Sequence, residues 1–308
     1  MPVSSLAQAQ QVTQSLAQLQ TQGNTLEQQI TTGLISQSFA GIAPQAAQLV
    51  DLTTTQSQQQ GFINTINTVN TRLQTMSLAT STMANLLQQF GSQLQTNAYN
   101  TTGATIQSQA QALLANIGDY LNTADGEGYV FSGSASTTAP YVASGLPSPG
   151  TLTTPVNVAP PSGYYAGNSD ISSAQVDNNL NVQYGITAAN PAFEQGIRAL
   201  NFIANSGSFN QSNPTDVANV NQAEQLITTA TSGINQLNAQ VGMQQSELNN
   251  SLQAHQQSLA LAKSSIANIE NVNPATAITQ LDTLQTQMEA SYQTVNILQN
   301  LTLANYLK

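Results

Sequence analysis

Apolar residues in this chain return again and again at alternating steps of four and three. Val12, Leu16, Leu19, Gly23, Leu26 and Ile30 form the first such run. Its 3.5-residue period is that of a coiled-coil seam and predicts a helix from Ser4 to about Thr32, stopped by Gly33. From Ser36 to Asp51, Gly41 and Pro44 break the pattern, which predicts a loop and then a short helix after Pro44. A second rod follows, on Phe62, Ile66, Val69, Leu73, Met76, Thr80, Met83, Leu87 and Phe90; Gly91 loosens it and Leu94 continues it. A third helix carries Ile106, Ala110, Leu113, Ile117 and Leu121 on one face.

At Asn122 the character changes. Most of the prolines and many of the glycines fall in the next stretch, broken by short strand-like runs at Tyr129–Ser132, Thr153–Val158, Ser173–Val176 and Asn181–Tyr184. Residues 123–189 read as a small β-rich insertion with long loops. Low complexity of a mucin-like kind is the alternative for its Ser/Thr/Pro-rich part. Tyr164, Tyr165 and the alternation of Leu180, Val182 and Tyr184 favour a folded unit.

Helix returns at Pro191, with Phe193, Ile197, Leu200 and Phe202 on a short amphipathic segment. The longest seam runs from Val220 to Ile269, interrupted by the polar groups of Asn238, Gln245 and His255. Asn273-Pro274 breaks it, and a terminal helix begins. Here Ile278, Leu281, Leu284, Met288, Tyr292, Val295, Leu298 and Leu301 make one stripe, while the opposite face is Gln, Thr, Ser and Asn. Some thirty helical residues at ~1.5 Å each span roughly 45 Å. Such a stripe needs a covering partner, inside the chain or outside it. The fold class is therefore mainly α with a β-rich insertion. The plan is symmetric about that insertion: long helices run in, a small β unit sits at the turn, and long helices run back.

Composition narrows the functions open to such a fold. Hydrophobic residues make up 40% of the 308, enough for a core, but charged residues only 6%, against about 25% in ordinary globular proteins. Four Lys/Arg against fourteen Asp/Glu leave a net charge of −10, which removes any basic footprint for nucleic acid or an anionic membrane. The surface is carried by uncharged polar groups, a chemistry suited to close approach of like copies. The absence of Cys excludes disulfides, Cys-based zinc sites and thiol nucleophiles. No apolar run approaches the ~20 residues of a membrane span. The first residues lack the basic and apolar regions of a cleavable signal.

Little here points to catalysis. His255, the one histidine, falls on a helix seam between Leu252 and Leu259 with no carboxylate at three or four residues' distance, so it reads as a bundle histidine rather than a metal ligand. Asp125 and Glu127 sit on a glycine turn with no visible partner, Asp170 and Asp177 fall in turns, and Asp282 and Glu289 read as solvent or contact-face charges. No catalytic, cofactor or metal site is expected.

Several stretches resemble the flagellin family. In Ala275–Leu307, the residues Ala277, Ile278, Leu281, Gln285, Ala290, Ser291 and Tyr292, then Leu301, Leu303, Asn305, Tyr306 and Leu307, match the conserved carboxy-terminal flagellin segment. Leu26–Gly33 is similar to the end of the family's first helix. Tyr120–Tyr141, with its Gly-Tyr-Val-Phe-Ser-Gly run, and Asn181–Phe193 resemble the edges of the insertion in the hook–filament junction branch (hook-associated protein 3). The chain departs from the family after Gly33, where LISQSFAGIAP lacks the usual charges. It departs again at Asn85–Gln95, which lacks the arginines and glutamate on which recognition by the host flagellin receptor is expected to rest.

The resemblance implies that the long amino- and carboxy-terminal arms pair as an antiparallel helical coiled coil or bundle, with the Val12–Ile30 seam as partner of the terminal stripe. The pair would form a terminal coiled-coil domain of residues 1–35 and 274–308 lining a central channel. Around it would lie a helical layer of 36–122 and 190–273, with 123–189 facing outward. It implies a structural subunit exported without a cleavable signal through the flagellar type III apparatus into the extracellular flagellum, forming the hook–filament junction. The alternatives are a flagellin of the filament itself and, in another class, a coiled-coil adaptor. Copies of itself, a neighbouring hook-associated protein, flagellin and an export chaperone are the implied partners. Val12, Leu16, Leu19, Leu26, Ile30, Ile278, Leu281, Leu284, Met288, Tyr292, Val295, Leu298, Leu301, Leu303, Tyr306 and Leu307 are the expected assembly residues.

Overall fold

The computed structural model describes residues 3–100, 105–146, 148, 152–153 and 163–306, with side chains from Gln10 to Ile297 within these limits. Six helices dominate: α1 (Val3–Thr32), α2 (Ala46–Asn97), α3 (Ile106–Leu121), α4 (Pro191–Asn205), α5 (Pro214–Glu270) and α6 (Pro274–Tyr306). Between α3 and α4 lie two small antiparallel hairpins, β1 (Ala124–Asp125) with β2 (Gly128–Tyr129), and β3 (Ser172–Asp177) with β4 (Leu180–Tyr184). The short helix expected after Pro44 is instead the start of α2, which runs on through Gly61 and Gly91; a 3-10 turn at Phe39–Ile42 precedes it. The strand expected at Tyr129–Ser132 shrinks to Gly128–Tyr129, because Phe131 and Ser132 bury their side chains and send their carbonyls to Ala188 and Asn168. Beyond Thr153, the strand expected at Thr153–Val158 lies outside the described residues.

Helix ends follow local chemistry. Three helices open on the same dipeptide, Asn190-Pro191, Asn213-Pro214 and Asn273-Pro274. In each, the asparagine Oδ1 accepts from a first-turn N–H, of Ala192 (3.0 Å), Thr215 (3.0 Å) and Ala275 (3.1 Å). Proline gives up only an N–H that the first turn leaves unpaired anyway. Gly33, at φ +74°, ends α1 in the left-handed conformation that favours glycine.

The chain divides into two compact units, Met1–Gln58 with Gln257–Lys308, and Gln59–Gln256. In the second, α2–α5 and the β3–β4 hairpin share one core. Leu73, Met83, Leu87 and Leu94 of α2 are buried there with Ile106, Ile117 and Leu121 of α3, Phe193 and Ile197 of α4, and Ile227, Ile234 and Val241 of α5. Residues of 123–189 enter the same core. Phe131 meets Phe193 edge-on with ring centroids 6.0 Å apart, and Tyr164, fully buried, donates its hydroxyl to Ala188 O at 2.8 Å.

Polar clamps hold the loops to the helices. Arg72, buried on α2, donates to both carboxylate oxygens of Asp125 (2.9 and 3.0 Å) and to Tyr129 O (2.6 Å), fixing the β1–β2 hairpin. Arg198 lies 3.1 Å from Glu194 on α4 and donates to Leu152 O at 3.1 Å. Asn122 grips Tyr141 twice, accepting from its N–H at 2.8 Å and donating to its C=O at 2.9 Å. The Tyr141 ring lies flat on α3 at Gly118, where a Cβ would overlap it.

Two predictions follow from this tyrosine-lined layer. Gly118→Val should destabilise the unit by about 1–3 kcal/mol through overpacking, read by thermal melting. Burial, with Asp119 adding to it, pushes the Tyr141 hydroxyl up to about 12; burial also holds Tyr165 at about 12 and Tyr164 higher still. A folded value above the unfolded one of ~10 means stability is complete below pH ~10 and is lost as pH rises toward 12. Phenolate absorbance from these rings should therefore appear together with loss of helix, not before it.

Candidate assembly site

Two seams built from the ends of the chain meet in the first unit. α1 and α6 run antiparallel: Gly23 faces Leu284, and the Gln20 amide donates to the Tyr292 hydroxyl at 2.9 Å. Leu34 and Asn271 form an antiparallel bridge at the other end, where Ile35 N–H donates to Glu270 O (2.7 Å) and Val272 N–H to Gly33 O (2.9 Å). This bridge fixes the register of the pair. Ile42 and Leu49 are buried with Ile269, joined by Leu52 and Ile266, in a small separate cluster of the same unit.

The seam keeps its 4-3 period on both sides. On α1, Gly23 is buried and Val12, Leu16, Leu19, Leu26 and Ile30 are half-buried. On α6 the seam is Ala277, Leu281, Leu284, Met288, Ser291 and Val295, with Ala277 and Leu284 buried and the rest half-buried. Ile278 and Tyr292, expected on this stripe, stand beside it, 47% and 48% exposed. The small side chains of Ala277 and Ser291 take the inward places, which lets the two backbones come close. At Gly23 a Cβ would lie 3.3 Å from the Leu284 methyl, so the smallest residue faces one of the two buried residues of α6. Leu298, Leu301, Leu303 and Tyr306 lie on α6 beyond the described side chains, and Leu307 lies outside the described residues.

Two helices cover only one side of each other. Half-buried Leu, Ile and Val along the whole seam mean that apolar surface remains open after they pair. A groove of about 490 Å³ runs along one side, between Thr21, Thr25 and Leu26 of α1 and Thr283, Leu284 and Gln287 of α6. Neither helix carries a basic residue, and Glu27, Asp282 and Glu289 are their acids. Contact between two such surfaces can gain nothing from ion pairs; what it can bury is apolar area, at about 25 cal/mol per Å².

The chemistry-bearing residues are not brought together. His255 is buried in the second unit against Gln59, Phe62 and Val176, with no carboxylate in contact. Asp125 is held by Arg72, and Glu127 is exposed. Among the described residues no group of three or more His, Asp or Glu could hold a metal ion, and no helix is long and apolar enough to cross a membrane. The Arg72–Asp125 clamp escapes sequence reasoning because its partners lie 53 residues apart with no shared pattern.

The two ends of the chain pair as antiparallel helices whose shared seam stays half open. Residues 224–307 match the family model of the bacterial flagellin C-terminal helical region. Among solved structures, a Vibrio parahaemolyticus protein assigned as flagellar hook-associated matches 75% of this chain and all of its own at 15% identity, with a TM-score of 0.59. The two share a fold. Bacillus cereus FlgL matches 69% of this chain and 98% of its own at 10% identity and a TM-score of 0.40. No curated protein sequence matches the chain.

Leu284 and Ile278 should separate pairing within the chain from association between chains. Leu284→Ala is expected to cost about 2–5 kcal/mol in the α1–α6 pair, seen as faster hydrogen exchange of Leu16–Ile30 amides. Ile278→Ala should change monomer stability by less than ~0.5 kcal/mol and still weaken self-association in sedimentation.

Proposed function

We propose that this protein is a structural subunit of the bacterial flagellum that assembles through its terminal helices, forming the junction between hook and filament. The observation that carries the reading is the coincidence of two independent facts. The flagellin C-terminal profile covers α6, and α6 is the helix whose seam α1 leaves half open. Completion of that seam by neighbouring copies is the simplest way to bury it. On this reading Val12, Leu16, Leu19, Leu26 and Ile30 work with the stripe of α6, and residues 1–35 and 274–308 form the inner layer. Residues 36–122 with 190–273 surround it, and 123–189 face outward. The hook-associated assignment of the Vibrio protein that shares the fold supports a junction role. A neighbouring hook-associated protein and flagellin are then its contacts on either side, and export through the flagellar apparatus delivers it outside the cell.

A second reading, a filament flagellin, draws on the same profile match. Geometry separates the two: contacts that repeat without closing give an open helical polymer, whereas a junction ends after one layer.

Truncation and imaging test the proposal together. Removal of Leu301–Lys308 should abolish binding to purified hook ends while leaving the melting of the Gln59–Gln256 unit unchanged. Full-length protein should cap those hooks with a single short ring. Long filaments from the full-length protein would transfer the assignment to flagellin, and undiminished hook binding by the truncated chain would overturn assembly through α6.

A further inference from the structure

The unit Gln59–Gln256 is closed at one end by a group of residues that the assembly reading leaves unused. Gln59 is the first residue of that unit and His255 its last but one, so both stand where α2 and α5 leave it. The His255 ring is buried, packed on Phe62 with centroids 5.1 Å apart. Its Nε2 lies 2.8 Å from Val176 O and its Nδ1 2.6 Å from Gln59 Oε1.

Val176 is an unusual acceptor. The β3–β4 register shifts between Gln175, opposite Asn181, and Asp177, opposite Leu180, so Val176 is the extra residue of a bulge. Its side chain is fully buried, and its carbonyl has lost a ladder partner. A carbonyl only accepts, so the imidazole must carry its proton on Nε2 and donate it there. Gln59 Oε1 also only accepts, so in the orientation shown Nδ1–H is the donor to it. In the neutral ring protonated on Nε2, Nδ1 is an acceptor, and the same amide, turned over, presents its NH2.

We propose that Gln59, His255 and the bulged Val176 form a latch that holds the β3–β4 hairpin on α2 and α5. The reversible amide of Gln59 keeps it closed in either charge state of the imidazole. No charged side chain is among the groups that meet the ring, which are Gln59 and Phe62 from α2 and Val176 from β3. The nearest charges along the same elements are Asp51 and Arg72 on α2, Asp177 on β3, and Glu247 and Lys263 on α5. The amide is therefore what adapts to the proton.

Gln59→Leu in the full chain is the direct test, with hydrogen exchange of the Ser172–Tyr184 amides compared with the parent at each pH. At about pH 8 the variant should exchange no more than ~3-fold faster than the parent, since the neutral ring still donates to Val176 and only the amide's donation to Nδ1 is lost. At about pH 5 it should exchange at least ~10-fold faster, because a buried Nδ1–H then has no acceptor. Equal exchange at both pH values would overturn the proposal. If Gln59→Leu does not fold, His255→Leu serves. It should loosen Ser172–Tyr184 at both pH values and leave Ile106–Leu121 protected, whereas unchanged exchange at the hairpin sinks the latch. Imidazole nitrogen NMR of the parent supplies an independent check: a neutral ring protonated on Nδ1 is incompatible with it.

Discussion

A stripe of two apolar residues in every seven can be covered only by something equally long and straight. That constraint organises the protein. α1 and α6 carry such stripes, so the ends of a 308-residue chain must meet. α2 and α5 follow the same period through the second unit, and α3 and α4 lie in its core together with them. The longest non-helical excursion lies between α3 and α4, where Phe131, Tyr141, Tyr164 and Val176 join the same core.

Much of this is legible in the residues themselves. α3 runs over Ile106–Leu121, the stretch its stripe marks out, and the break at Asn273-Pro274 is where α5 gives way to α6. Periodicity reports helices well because it repeats a single geometric fact many times. It fails where one contact decides. Gly91 loosens the rod by sequence, yet α2 continues through it, since the burial of Leu87, Phe90 and Leu94 around it outweighs a propensity loss of about 1 kcal/mol. Ile278 and Tyr292 fit the stripe by spacing and stand beside it because Ala277 and Ser291 pack closer. The clamps of Arg72 on Asp125 and of His255 on Val176 leave no periodic trace at all.

Charge is used sparingly and in definite places. Of the four basic residues, Arg72 and Arg198 are each committed to a carboxylate and to a loop carbonyl within the second unit. Arg72 thereby ties the β1–β2 hairpin to α2, and Arg198 ties the Leu152 carbonyl to α4. The net charge is −10, so two copies would approach against a weak mutual repulsion that salt screens. Their adhesion has to come from apolar contact and from amide and hydroxyl groups.

The repeated Asn-Pro at the starts of α4, α5 and α6 bears on more than capping. Consecutive residues on a helix point about 100° apart, so a seam stays aimed at its partner only if the first turn begins at one residue and no other. A helix that frays or gains a residue at its start keeps its length almost unchanged but can no longer be relied on to hold its azimuth. Asparagine accepting from the first turn, followed by a ring with fixed φ, sets that origin three times over. In a chain with few charges to correct a misaligned surface, these dipeptides act as phase marks, setting which face of each rod is turned inward before any neighbour arrives.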